Sequence, residues 1–167
     1  NNQIFITGHS CGGWVTMMFL AKYPDKIAGG ISTHHACYGR LSRQYKVKKV
    51  GVEVALKKFE KKKPVAGYFR KTQIESISKA KNLPVLIFTH PKDPFDGLLS
   101  DWVENIPGTD RVVISENFKI NNKSCKRIGE NSGKRWEEPI KNGHWMAFAD
   151  CFQQYNSKIL KFIESKI

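Results

Sequence analysis

Ile4-Phe5-Ile6-Thr7-Gly8-His9-Ser10-Cys11-Gly12-Gly13 is the stretch on which the fold of this chain turns. An apolar run of strand character ends at Gly8, and a helix-length apolar segment from Trp14 to Ala21 follows, stopped by Tyr23-Pro24-Asp25. Strand, sharp turn and helix are therefore predicted, with a G-x-S-x-G pentapeptide at the junction. A turn this tight lifts its central residue out of the sheet and leaves no room for a side chain two positions before or after it, which accounts for Gly8 and Gly12. Ser10 is thereby presented at the strand end. The backbone after it enters a helix N-terminus, where free N–H groups and the macrodipole favour a developing negative charge.

Outward from this junction, Ile27 to Ser32, Leu83 to Thr89 and Arg111 to Ser115 are predicted as further strands. The first two lack polar alternation, as strands covered on both faces do. Val50 to Phe59 and Ile74 to Ala80 are predicted as helices. Leu98, Leu99, Trp102, Val103 and Ile106 share one face of a helix beginning near Asp96-Gly97, and Phe152, Tyr155, Ile159, Phe162 and Ile163 form the stripe of a closing helix. The alternation argues an α/β layer with a parallel sheet, and functional loops at the strand C-termini. With 167 residues, 40% hydrophobic, one domain is expected, spanning 1–167.

Lys and Arg outnumber Asp and Glu by 28 to 15. From Arg40 to Lys81 fourteen basic residues face three acids (Glu53, Glu60, Glu75), so this stretch carries +11 of the total +13. Two expectations stand for it: a solvated surface, or attraction of acidic substrates or an anionic membrane surface. No helix-turn-helix, RNA-recognition or zinc motif accompanies it, which argues against sequence-specific nucleic-acid binding. The chain contains no apolar run of eighteen residues and no signal-peptide pattern at Asn1-Asn2-Gln3. Cys11, Cys37, Cys125 and Cys151 have no zinc-type spacing.

On Gly8-His9-Ser10-Cys11-Gly12, the sequence resembles the C-terminal half of the α/β-hydrolase superfamily, in particular the dienelactone-hydrolase-like and prolyl-oligopeptidase-like serine esterases. The resemblance implies an α/β-hydrolase fold lacking its N-terminal strands, with the basic segment at about 37–82 in the place of the family's cap. In that family the acid follows a later strand, as Asp93 follows Leu83 to Thr89, and the histidine precedes the last helix, as His144 does in Gly143-His144-Trp145. The order Ser, Asp, His is the hydrolase order. It implies Ser10 as nucleophile, His144 as base and Asp93 as the carboxylate that sets the imidazole tautomer. The N–H of Cys11 would be one oxyanion donor, and the other would come from a loop outside this chain. The resemblance further implies a protein longer than these 167 residues, with the isolated chain not a competent enzyme. A serine hydrolase acting on a small-molecule ester, thioester or amide is expected, with no cofactor and no metal. Two rivals remain at this point: a non-catalytic binding module with a basic cap, and an acyltransferase using the same three residues.

Other residues carry plainer expectations. Asp96, three residues after Asp93, is the alternative acid, but it is better read as the N-cap of the Leu98 to Ile106 helix. His9 is expected to point away from Ser10, and His34, His35 and His90 to be loop residues rather than metal ligands. Cys11 is expected to be buried, lending only its backbone. Cys125 and Cys151 flank the histidine loop, and the sequence leaves open whether they pair in an oxidising compartment. Trp136, Trp145, Phe95 and Tyr38 are candidates for an apolar pocket or for the core, and Lys119 to Asn142 is expected to be a long polar loop.

Overall fold

A computed structural model describes residues 3–115, 117, 119, 120 and 123–167 of the protein. Its main sheet has four parallel strands in the order β1 (Phe5–His9), β2 (Gly29–Thr33), β3 (Val85–Thr89) and β4 (Thr109–Val113). The register pairs His9 with Thr33, Thr33 with Phe88 and Phe88 with Val112. The strand C-termini are thus level, and the loops bearing Ser10, His34 and Asp93 leave from one end of the sheet.

β3 shows why its sequence is apolar from Val85 to Phe88. Val85 and Ile87 enter a core with Trp14, Met17 and Leu20 of α1 (Cys11–Lys22), while Leu86 and Phe88 enter a second core with Met146 and Phe162. All five residues of the strand are buried. Truncating Leu86 or Ile87 to Ala would cost roughly 2 to 5 kcal/mol in a site of this kind. β1 is an edge strand of this sheet, and Ile4 beside it is 55% exposed.

Between β2 and β3 lie four helices: α2 (Leu41–Gln44), α3 (Val47–Val50), α4 (Val52–Lys62) and α5 (Pro64–Ser78). Leu41, Tyr45, Val47, Ala55 and Phe59 make their own apolar cluster, which Leu99 joins from the loop after β3. α5 begins at Pro64, ten residues ahead of the predicted start. Proline at the first helical position sacrifices an N–H that has no intrahelical partner, and its φ is already helical.

Four further expectations need correction. The helix expected over Leu98 to Ile106 is two short 3-10 segments, Gly97–Leu99 and Asp101–Asn105. They break at Ser100, whose hydroxyl donates to the Asp96 carbonyl at 2.8 Å. The strand expected from Arg111 to Ser115 is β4, displaced two residues toward the N-terminus. The expected polar loop contains two antiparallel pairs, β5 (Lys119–Ile120) with β6 (Lys123–Ser124) and β7 (Lys126–Asn131) with β8 (Lys134–Pro139); residues 121 and 122 lie outside the described set. Ser132 and Gly133, with φ of 52° and 73°, make the two-residue turn of positive φ that suits the twist of a hairpin. The closing stripe divides into a 3-10 segment, Asp150–Tyr155, and α6 (Asn156–Glu164). Among the described residues, no helix is long and apolar enough to cross a membrane.

Candidate active site

Ser10 sits between β1 and α1 with φ 56° and ψ −124°. Positive φ in a residue with a Cβ costs on the order of 1 to 3 kcal/mol and persists only where surrounding bonds enforce it. Those bonds are present. The Ser10 N–H donates to the Thr33 carbonyl at 3.1 Å, and the Ser10 carbonyl accepts from Ala36 at 3.1 Å and Trp14 at 3.2 Å. A Cβ on Gly8 would overlap the Gly12 carbonyl group, so glycine is required there. Gly12 itself corrects the expectation: a Cβ at that position meets nothing within 4 Å. The second crowded position is Gly13, where a Cβ would lie 2.7 Å from Ser32 Oγ.

The sheet end brings Ser10, His144 and Asp93 together from positions far apart in the chain. His144 Nε2 is 3.0 Å from Ser10 Oγ, and His144 Nδ1 is 2.9 Å from Asp93 Oδ2. Each side chain is anchored locally. Asp93 Oδ1 accepts the Phe95 N–H at 2.8 Å, and Asn142 Oδ1 accepts the His144 N–H at 3.0 Å. The Gly143 N–H donates to the Lys92 carbonyl at 3.2 Å, joining the two loops. Phe95 packs its ring 4.2 Å from that of His144, and Asp93 and His144 are 2% and 3% exposed. The Ser10 hydroxyl has a second acceptor, the Ala36 carbonyl at 3.3 Å. The N–H of Cys11 is the first of α1 and has no acceptor within the helix.

Histidines surround this arrangement: His34, His35 and His90 lie in the loops after β2 and β3, as expected, whereas His9 departs from its expectation. His9 does not point away: its ring lies 4.8 Å from that of His144 and 4.6 Å from Phe148, and Nδ1 is 3.2 Å from Thr33 Oγ1. His34, His35 and His90 are fully buried at the strand ends. Burial first, and then the neighbouring His144, lowers His9 to about 4; burial first, and then Arg111 and Arg70, lowers His35 to about 3. His34 is held well below the usual imidazole range, chiefly by burial and then by the other histidines. Its Nδ1 stands 3.8 Å from Asp93 Oδ2, too far for a hydrogen bond, and a neutral ring makes no ion pair there. These three imidazoles therefore stay uncharged at neutral pH around His144.

Asp96 is no N-cap. Its carboxylate makes no capping bond and instead faces Arg70 of α5 at 3.5 Å, both groups buried. Burial, outweighing Arg70, raises Asp96 to about 6. Cys11 is exposed rather than buried, and it is disulfide-bonded to Cys37; Cys125 is bonded to Cys151. Among the described residues the one group of three with metal-ligand proximity is Cys125, Asp150 and Cys151, whose sulfurs are already spent on each other. Of the four candidate pocket aromatics, Phe95 and Trp145 line a cavity against the Asp93 loop. Tyr38 packs edge-on to Trp14 and bonds Gln73, and Trp136 lies under the Arg127 guanidinium at 4.8 Å.

The sequence signals for the missed residues were thin. An even count of four cysteines admits three pairings, and nothing local singles out Cys11 with Cys37. His9 touches His144 only through the fold.

No family model matches the chain, and no curated protein matches it. Solved structures do. An esterase of Pyrococcus furiosus, Pf2001, is 11% identical, with a TM-score of 0.52 over 98% of this chain and 53% of that one. A structure described with the metagenome-derived lipolytic enzymes LipS and LipT is 13% identical, with a TM-score of 0.55 over 98% and 66%. A variant of the meta-cleavage product hydrolase CumD of Pseudomonas fluorescens IP01 is 14% identical, with a TM-score of 0.54 over 99% and 66%. The chain has a partial α/β-hydrolase fold and spans between about half and two thirds of the length of these structures.

Proposed function

We propose that this chain carries the catalytic residues of a serine hydrolase that cleaves a carboxylic ester, thioester or amide through an acyl-enzyme. The observation that carries this reading is the unbroken chain of short contacts from Ser10 through His144 to Asp93, built on a strained turn at a helix N-terminus. His144 Nε2 takes the Ser10 proton as Oγ attacks the substrate carbonyl carbon. The resulting oxyanion is met by the Cys11 N–H at the positive end of α1. Collapse breaks the bond to the leaving group, which receives the proton from Nε2. Water then repeats the sequence on the acyl-serine, giving up its proton to Nε2, and the free acid departs from a regenerated Ser10. Asp93 holds the Nδ1 proton throughout and stabilises the imidazolium. The uncharged His9 and His34 leave that transient charge without a cationic neighbour of their own making.

The dienelactone-hydrolase-like or prolyl-oligopeptidase-like branch is part of this proposal and rests on the sequence resemblance carried by Gly8-His9-Ser10-Cys11-Gly12 and the segments bearing Asp93 and His144. The test is a series of p-nitrophenyl esters of increasing acyl length, with the intact protein and its Ser10→Ala variant. Turnover in the parent, lost in a folded Ser10→Ala protein, supports the reading. Equal turnover in the two removes Ser10 as nucleophile.

A further inference from the structure

A cavity of about 410 Å³ opens beside the Asp93 loop, with Asp93 but not Ser10 among its lining residues. Three separate segments build it: the start of the helical insertion, the loop after β3, and the loop that carries His144. Its apolar wall includes Phe95, whose ring also packs on His144, and Trp145. Its lining carries five cations, Arg40, Arg43, Lys48, Lys92 and Lys141, and the only carboxylate among the lining residues is Asp93, already engaged by His144.

Elsewhere on the described surface some cations are paired, as Lys57 is with Glu53 and Arg111 with Asp101 and Glu104, and others, such as Lys58, Lys61 and Lys62 on α4, are not. What distinguishes this cavity is the number of cations that line one concavity. Arg40, Arg43, Lys48 and Lys141 make no ion pair within 4 Å among the described residues. Four like charges converging on one concavity repel one another, and an anion in their midst relieves that repulsion. Two guanidinium groups also offer planar forks that match carboxylate or phosphate oxygens. Arg40 already lies over the Phe95 ring at 5.7 Å, so a cation and an aromatic face are presented side by side. The volume falls within the range of small-molecule sites.

We infer that this cavity is a binding site for a small organic anion, a carboxylate or a phosphate monoester with an apolar body. The anionic head is held by Arg40, Arg43 and Lys48, and the body rests on Phe95 and Trp145. The inference stands apart from the hydrolase reading, because binding there needs none of Ser10, His144 or Cys11.

The experiment is calorimetric titration of the intact protein at low ionic strength with phenylacetate, phenyl phosphate, inorganic phosphate and benzyl alcohol, followed in parallel by tryptophan fluorescence. One of the two aromatic anions is expected to bind with a dissociation constant below about 1 mM, and their relative affinity tells carboxylate from phosphate. Inorganic phosphate should bind at least tenfold more weakly, and benzyl alcohol should not bind. Arg40→Gln/Arg43→Gln/Lys48→Gln should weaken the aromatic anion at least tenfold. A triple change of equal charge on exposed α4, Lys58→Gln/Lys61→Gln/Lys62→Gln, should leave it within twofold. Trp145→Phe should abolish the fluorescence change while calorimetry still reports binding. Equal affinity in the two triple variants overturns the inference. So does binding of benzyl alcohol as tight as that of the anions, or binding to phosphatidylglycerol vesicles with none to the small anions.

Discussion

Cys11 and Cys37 are bonded to each other, with Cα atoms 4.4 Å apart, and the bond ties the residue after Ser10 to the loop whose Ala36 carbonyl accepts the Ser10 hydroxyl. The proposed oxyanion donor, the Cys11 N–H, is thus clamped from both sides: by α1 and by the segment after β2. Opening the clamp with dithiothreitol, or by Cys37→Ser, is expected to lower kcat for ester hydrolysis up to about a hundredfold, the scale of losing one oxyanion contact. KM should change far less. An unchanged kcat in protein whose titrated thiols show this bond open would contradict the assignment.

The Cys125 to Cys151 bond closes a loop of the same separation, 26 residues, away from Ser10. Loop entropy gives it a value of about 3.5 kcal/mol. Cys125→Ser is therefore expected to lower the thermal midpoint while kcat of the folded fraction holds, checked by calorimetry beside the ester assay.

Gly8 and Gly12 separate two kinds of glycine in one motif. Gly8→Ala drives a Cβ into the Gly12 carbonyl and should give a protein that is poorly folded or inactive. Gly12→Ala has open space and should keep the fold and most of the activity. Equal damage from both, by circular dichroism and turnover, would mean that the turn is not the one described.

Asp93 and Asp96 are three residues apart and do different work. Asp93→Asn is expected to lower turnover by roughly ten-thousandfold, as the same change does in a serine-protease triad, with little loss of stability. Asp96→Asn strips the buried Arg70 of its carboxylate and should cost about 3 to 5 kcal/mol of stability. Parallel kinetics and urea unfolding distinguish them, and the reverse ranking would transfer the tautomer-setting role to Asp96.

What the sequence disclosed follows the range of each interaction. The turn at Ser10 was legible because its glycines, its strand and its helix all lie within a score of residues and each is dictated by local sterics. β3 was legible because a strand buried on both faces favours an unbroken apolar run, here Val85 to Phe88. The hairpin Lys126–Pro139 was hidden because only Ile128 and Trp136 interrupt its polar surface, though Ser132-Gly133 marked the turn. The start of α5 was hidden because Val65, Tyr68 and Phe69 are exposed, so no apolar stripe points inward there. The Cys11 to Cys37 bond, the contact of His9 with His144 and the Arg70 to Asp96 pair depend on how separate segments dock, which no local pattern records.

The buried histidines set the acid limit of stability. His9 is lowered to about 4 and His35 to about 3 from an unfolded value of 6.5, and His34 is also held well below it, in each case chiefly by burial. Below about pH 6.5 the unfolded chain takes up protons that the folded protein refuses, so stability falls as pH falls toward these folded values. Asp96 runs the other way. Its folded value of about 6 exceeds the unfolded 3.8, so it binds its proton more readily in the fold and adds stability as pH drops between the two. Three groups outweigh one, and the thermal midpoint is expected to decline steadily from pH 7 to pH 4.5. A midpoint that is level or rises over that interval would contradict the buried, neutral histidine cluster.

The most direct test of Ser10 as an activated nucleophile is covalent. The intact protein, incubated with a fluorophosphonate, is expected to gain the mass of one adduct, mapped by peptide sequencing to Ser10. The folded His144→Ala protein, lacking the base that takes the Ser10 proton, should gain none at the same time point. A folded parent protein that stays unlabelled, or an adduct on any residue other than Ser10, would contradict the proposed chemistry.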